Sequence, residues 1–318
     1  MNAVIKSVGV YLPEFIAKND ELAKSKGLDT NDEWIRSRSG ITERRLVQDN
    51  SILTADIGYL AAKNAIEKAD VSPGEIDGII AGTMTPDKQF PALACYIQAK
   101  LGCGRAFAFD ITAACGFIPP AINTAALMIR SGQAKNILVI GAEICSRIMD
   151  WSDRGSCVLF GDGSGAILLS ASEDSNRGFV GAALAADGNL NNILYLNTLG
   201  AKDSFLRMEG TSVYKLAVSE LANITKKALE KAGLSLSDID LFIPHQANIR
   251  IIQSVGKALG LSEGKVMVNV DRYGNTSSAS IPIALYEAEQ QGRLKPGMLV
   301  AMPAIGGGMN WGCVLFRW

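Results

Sequence analysis

The apolar positions of residues 63–77, KNAIEKADVSPGEID, recur at helical spacing and stop at Ser72-Pro73-Gly74. Gly78–Gly82 then runs through small and apolar residues without a charge. This pattern predicts an amphipathic helix, a turn and a buried strand. It returns at residues 226–240, KKALEKAGLSLSDID, followed by Leu241-Phe242-Ile243-Pro244. At an offset of 163, Lys63, Ala65, Glu67, Lys68, Ala69, Ser72, Ile76 and Asp77 recur unchanged.

Two further pairs keep the same order. Phe109-Asp110 and Val270-Asp271 each read as a strand end entering a small-residue turn and a helix. Ser131–Lys135 and Gln291–Lys295 precede the strands Asn136–Gly141 and Met298–Met302. A long period with two copies predicts a duplicated α/β domain, with halves 1–170 and 171–318, and not a solenoid.

Composition narrows the function classes. The 318 residues are 48% hydrophobic and carry a net charge of −1. That suits a large apolar core and gives no general attraction to nucleic acid or an anionic membrane. Met1–Leu12 lacks the long apolar segment of an export signal, and no uncharged apolar run is long enough to span a bilayer. The six cysteines include no C-x-x-C pair, so they are expected as reduced thiols in the cytoplasm. Gly161-Asp162-Gly163-Ser164-Gly165 reads as a turn into a strand and lacks the lysine of a phosphate loop. A dinucleotide fingerprint is absent, and one histidine with scattered cysteines forms no metal-ligand spacing.

Four segments remain as candidate chemistry. Cys115 falls between a strand and a helix, where the helix dipole favours a thiolate; on composition alone it also reads as a buried structural cysteine. His245, the one histidine, stands in Pro244-His245-Gln246-Ala247-Asn248 at a strand's carboxyl end, as a proton donor or a capping residue. Asn275 occupies the turn that the repeat pairs with that of Cys115, and also suits a helix cap. Gly306-Gly307-Gly308 lets backbone N–H groups approach an oxyanion, or simply turns a hairpin.

In this order, these segments resemble the ketoacyl-acyl carrier protein synthase III family. Asp32-Glu33-Trp34-Ile35, Gly40-Ile41-Thr42-Glu43-Arg44, Asp153-Arg154-Gly155 and Phe160-Gly161-Asp162-Gly163 extend the resemblance along the whole chain. It implies the thiolase fold: α/β, with duplicated halves in an αβαβα layered arrangement. It also implies a cytoplasmic homodimer acting on acyl-CoA and malonyl-acyl carrier protein, with no metal or redox cofactor. Catalysis would rest on Cys115, His245 and Asn275, with the N–H groups of Cys115 and Gly307 as the oxyanion hole.

Other positions carry over individually. Trp34 and Arg154 would sandwich the adenine of coenzyme A, with Thr30, Arg38 and Asn248 nearby. Phe90, Cys145, Phe160 and Leu206 would surround the acyl pocket, Phe90 reaching into the partner subunit. Lys215, Arg250 and Lys257 would dock the carrier protein, or form an ordinary solvated face. The segment Gly116-Phe117-Ile118-Pro119-Pro120 departs from the family's small residue, glycine and phenylalanine after the cysteine, so a delayed or bent helix is expected there. Together with a wider pocket at Cys145 and a cation at Arg147, this leaves open a specialised relative that takes a branched, aromatic or dicarboxylic starter. A degradative or biosynthetic thiolase needs a second catalytic cysteine in the C-terminal glycine-rich loop, and Cys313 lies beyond it in an expected strand. A two-histidine elongating synthase is excluded by the single histidine. A papain-like protease lacks the aromatic context, and an inactive acyl-binding homologue is opposed by the intact Cys-His-Asn set.

Overall fold

The computed structural model describes all residues except Leu199 and Lys202. β1 (Asn2–Tyr11) leads into a small ribbon of β2 (Ile16–Lys18) and β3 (Glu43–Arg45), which encloses α1 (Asn19–Lys26) and α2 (Asp32–Ser39). α3 (Thr54–Lys68), β4 (Gly78–Gly82), α4 (Leu93–Leu101), β5 (Phe107–Asp110), α5 (Ile118–Arg130), β6 (Asn136–Ile144) and β7 (Asp162–Ser172) follow. These build a five-stranded sheet of order β1-β7-β6-β4-β5. The chain continues through β8 (Gly178–Ala186), the ribbon β9 (Leu194–Leu196) and β10 (Leu206–Met208), α6 (Gly210–Lys231) and β11 (Leu241–Phe242). It ends with α7 (Ile249–Ala258), α8 (Val270–Tyr273), α9 (Ser280–Gln290), β12 (Leu299–Gly306) and β13 (Asn310–Arg317). The second sheet has the order β11-β12-β13-β8.

Burial on both faces explains the continuous apolar strands. Along β12, Val300, Met302 and Ala304 join the central core, while Leu299, Ala301 and Ile305 face the outer one. The central core holds α5 and α9 between the sheets: Ala121, Ile122 and Ala125 of α5 and Ala284 and Leu285 of α9 pack with Val139, Ile167, Val300 and Val314. Alanines let these helices approach two sheets at once. α3 and α4 cover the other face of the first sheet, and α6 and α7 that of the second. The result is five layers, helix-sheet-helix-sheet-helix.

Two sequence expectations change. The Gly161–Gly165 cluster is not a turn into a strand; β7 begins at Asp162 and contains most of it. A methyl on Gly165 would stand 2.5 Å from the Pro282 side chain, and one on Gly161 would stand 2.1 Å from the Tyr273 carbonyl oxygen. These glycines therefore serve close packing. Val270-Asp271 does not end a strand but opens α8. Among the described residues, the segment before it pairs with β11 through a single Phe242–Val266 bridge, and Asn269 N–H is drawn away to the Gln246 side chain (2.9 Å).

Candidate active site

The two inner helices are entered in the same way. Cys115 lies in the 3-10 turn Ala114–Gly116, directly before α5, and Ala114 adopts φ +47°. Ser277 adopts φ +48° in the 3-10 turn Ser277–Ala279, directly before α9. The turns meet where the Cys115 thiol contacts Ser277 Oγ at 3.3 Å. Gly116 and Gly306 make room: a methyl on Gly306 would stand 2.4 Å from both Ala113 O and Gly116 N, and one on Gly116 would stand 2.3 Å from Asn310 Oδ1. The expected disturbance behind Cys115 is absent. α5 runs unbroken from Ile118 to Arg130 with proline in its first turn, where no intrahelical N–H bond is lost. Phe117 fills the space over Gly82, where a methyl would meet its ring at 2.3 Å.

His245 follows β11. Its N–H donates to Pro303 O (2.9 Å), and its Nδ1 lies 2.6 Å from Ser280 Oγ. Gln246 braces the loop, donating to Pro244 O (2.8 Å) and Met267 O (3.1 Å). Asn275 is clamped to the segment before β7, its N–H donating to Leu159 O (2.8 Å) and its carbonyl accepting from Gly161 N–H (3.1 Å). Asn275 Oδ1 accepts the Ser277 N–H (2.8 Å), which leaves the side-chain NH2 for other partners. The β12–β13 ladder ends at the Gly306–Asn310 pair, so Gly307 N–H lies outside it.

Cys115, His245 and Asn275 come from three separated segments and line one cavity of about 500 Å3. Trp34, Arg38, Phe160, Leu206, Asn248 and Arg250 line it too. Trp34 and Arg38 share a face of α2, whose N-terminus is capped by Asn31 accepting the Trp34 N–H (2.8 Å). Asn248 caps α7 through Arg250 N–H and donates to Arg38 O, so both ends of its amide are already paired.

Electrostatics corrects the expected thiolate. Burial pushes the Cys115 thiol up to about 12; the Ser277 hydroxyl offsets this in part, and the Glu143 charge adds to it. Desolvation by burial is the largest cause of this shift. Burial also pushes His245 down to about 4, so its ring is neutral at ordinary pH. Glu143 is fully buried and accepts from Met84 N–H (2.9 Å), Thr85 Oγ1 (3.1 Å) and Ser278 Oγ (2.8 Å), while burial raises its carboxyl. Sequence reasoning missed Glu143, Ser277 and Ser280. The hydroxyl run after Asn275 was the available signal for the serines.

Most of the other expected residues fall outside the cavity. Arg154 stacks on Trp34 at 5.1 Å from the ring centroid and binds the Asp29 carbonyl and carboxylate. Inserting a flat base between two stacking groups needs about 7 Å, so the sandwich is closed. Thr30 does not line the cavity, and its buried hydroxyl has no hydrogen-bond partner. Cys145 is fully buried in the cluster that includes Phe160 and Leu206 but does not line the cavity, so it does not widen it. Arg147 donates to the carbonyls of Asp49, Asn50 and Ile52 and lines a separate cavity of about 570 Å3 with Lys26 and Trp151. Phe90 is 79% exposed on a loop whose ends are tied down: Asp87 accepts the Thr54 and Ala55 N–H groups, and Asp110 accepts those of Leu93 and Ala94. Lys215 on α6 and Arg250 and Lys257 on α7 are exposed, and Arg250 stacks on Tyr214. Cys313 is buried in β13. Among the described residues, no cluster of three or more His, Cys, Asp or Glu side chains could hold a metal ion.

This chain is 45% identical to the β-ketoacyl-[acyl-carrier-protein] synthase III of Aquifex aeolicus, over the full length of both. It belongs to the 3-oxoacyl-[acyl-carrier-protein] synthase III family. The family profile matches residues 109–188, and that of its C-terminal part matches 229–318. The crystal structure of the Aquifex aeolicus enzyme superposes with a TM-score of 0.95, covering 99% of this chain and 100% of that one. The priming β-ketosynthase of a polyketide biosynthetic pathway is 32% identical, with a TM-score of 0.92 over 99% of this chain and 96% of its own. The five layers are those of the thiolase fold. As a member of this family the chain is a condensing enzyme of the acyltransferase type, acting at the start of fatty acid synthesis.

Proposed function

We propose that this enzyme joins a short acyl group from coenzyme A to malonyl-acyl carrier protein through an acyl-Cys115 intermediate. The observation that carries this reading is the single cavity joining Cys115, His245 and Asn275 to Trp34 and Arg38. Cys115 Sγ attacks the thioester carbonyl, the carbon–sulfur bond to coenzyme A breaks, and the thiol proton goes with the departing sulfur. The N–H groups of Cys115 and Gly307 hold the oxyanion. Malonyl-acyl carrier protein then loses carbon dioxide, and the electron pair of the broken bond becomes an enolate. His245 and Asn275 donate hydrogen bonds to the enolate oxygen. The enolate carbon attacks the acyl-Cys115 carbonyl, and the released cysteine sulfur regains a proton from solvent. These steps balance without a metal or redox group.

Trp34, Arg38 and Arg154 bind the nucleotide of coenzyme A, with Arg154 swinging off Trp34 to admit the base; Thr30 and Asn248 flank it. Phe160 and Leu206 bound the acyl chain. Lys215, Arg250 and Lys257 form the basic surface that meets the acidic carrier protein. The enzyme is a cytoplasmic homodimer in this reading, built from the halves 1–170 and 171–318. Two features support pairing: β5 is an edge strand of its sheet, and Phe90 stands almost free of its own subunit. No helix among the described residues is long and apolar enough to cross a membrane.

A specialised starter is less well supported than the sequence alone suggested. α5 is regular, and Cys145 and Arg147 stand outside the cavity. One experiment tests both readings: intact-protein mass spectrometry after mixing with acetyl, isobutyryl, octanoyl, benzoyl, malonyl and glutaryl thioesters of coenzyme A, with Cys115→Ala in parallel. A gain with acetyl or short branched chains, absent in the variant, is the expected result. A gain with aromatic or dicarboxylic groups alone favours the specialised reading. No gain with any thioester revives an inactive acyl-binding homologue.

A further inference from the structure

The protonation pattern of the one imidazole follows from a count of hydrogens around it. Ser280 opens α9 with its side chain buried, and its Oγ has two neighbours: His245 Nδ1 at 2.6 Å and Gln246 N–H at 3.4 Å. The Gln246 N–H can only donate. The hydroxyl has a single proton to give, and Nδ1 is its one acceptor among the described residues. If Nδ1 carried the ring proton and donated it to Ser280, the serine proton would be stranded in a buried site. When the hydroxyl donates to Nδ1, every group is paired and the ring proton lies on Nε2.

We infer that Ser280 is a positioning residue that fixes His245 as the Nε2–H tautomer. His245 lines the Cys115 cavity, and its remaining nitrogen is the one not held by Ser280. It therefore brings a donor to the cavity and not a lone pair. Asn275 is set in the same way, since Ser277 N–H occupies its Oδ1 and leaves the NH2 group. Ser277, in the turn before α9, and Ser280, the first residue of α9, thus leave both polar neighbours of Cys115 as donors. Donors suit an oxygen that becomes negative and cannot take the thiol proton from Cys115. This inference rests on the proposed role of His245 in condensation, but the tautomer is measurable without it.

The test uses the full chain labelled with 15N-histidine. With one histidine, the long-range 1H–15N spectrum contains one pair of ring nitrogens and needs no assignment between residues. At pH 7 the expected spectrum has a protonated Nε2 and an unprotonated Nδ1. Ser280→Ala is expected to give mixed or inverted tautomers and to lower the ratio of condensation to acyl-Cys115 formation by at least about tenfold, the scale set by misplaced histidine protons elsewhere. Ser280→Thr, which keeps the hydroxyl, is expected to restore both. A wild-type spectrum with the proton on Nδ1 overturns the inference. So does Ser280→Ala with an unchanged spectrum, or with acylation and condensation reduced alike. If Ser280→Ala does not fold, the wild-type spectrum and Ser280→Thr still decide. The expected tautomer in an enzyme that forms no acyl-Cys115 upholds this inference and defeats the functional reading.

Discussion

The turn before α5 and the turn before α9 share one backbone and carry opposite tasks. Each opens with a non-glycine residue of positive φ, Ala114 or Ser277, and each enters a helix of the central layer. The repeat offset places Ser278 opposite Cys115. Cys115 opens on the cavity, whereas Ser278 turns to Glu143 and the Gly82 carbonyl. Duplication gives two equivalent helix entries, and substitution puts a thiol at one and a hydroxyl turned to a buried carboxyl at the other. The shared backbone therefore does not distinguish them; the side chains and the groups that meet them do.

The largest expected effect breaks the equivalence directly. Cys115→Ala removes acyl-enzyme formation entirely, while Ser278→Ala retains a mass gain on Cys115. Loss of the gain in both would show that the second turn carries chemistry of its own. Next comes the contact that lets the Cys115 turn sit against β12. Gly306→Ala forces backbone apart and is expected to cost about 1–3 kcal/mol of stability and to slow acylation, read by urea unfolding and mass spectrometry. Gly74→Ala, with open space around the added methyl, is the control and should leave both unchanged.

The pH dependence of stability separates the histidine from its surroundings. The His245 ring takes its proton near 6.5 in the unfolded chain and near about 4 when folded, because of burial. Between those values the unfolded state binds the proton first, so acidification costs up to ~3 kcal/mol of stability. Asp162 acts in the opposite sense. Burial lifts it to about 6 from 3.8, so the folded state protonates first and gains stability as pH falls through that range. His245→Gln removes only the first contribution. Its urea midpoint relative to the wild type is expected to rise on going from pH 7 to pH 4.5, and parallel curves would refute the assigned shift.

Two smaller effects sharpen the comparison. Ser278→Ala deprives buried Glu143 of a donor and should lower stability by about 1–3 kcal/mol in the same assay. Alkylation of Cys115 should accelerate about tenfold per pH unit from pH 7 to 9 without a plateau, as a buried thiol requires. Ser277→Ala removes the hydroxyl that eases this ionisation, so alkylation should slow about three- to tenfold. A plateau below pH 8 would mean that the helix dipole prevails over burial.

Much of this architecture is visible in residue order. Continuous apolar runs mark β4 and β6, and apolar positions at a period of 3.6 mark α3 and α6, since local burial shapes local pattern. The 163-residue offset gives the duplication, and Cys115, His245, Asn275 and Gly307 stand out by type and by the turns that hold them. Helix α5 was misjudged because proline reads as a breaker out of context, yet here it occupies a first turn. The strand expected at Val270 failed because Gln246, a residue 23 positions earlier, captures the Asn269 N–H.

What the sequence marked by itself was therefore most of the elements, their repetition and the three candidate side chains Cys115, His245 and Asn275. Tertiary structure decided how those side chains are charged and oriented. The thiol of Cys115 is protonated because the fold removes water from it, and its contact with Ser277 spans 162 residues. The His245 tautomer depends on a serine 35 residues away. The closed Trp34–Arg154 pair and the exclusion of Cys145 and Arg147 from the cavity were settled in the same way. Desolvation and hydrogen-bond direction depend on everything packed around a group, and those neighbours come from distant parts of the chain.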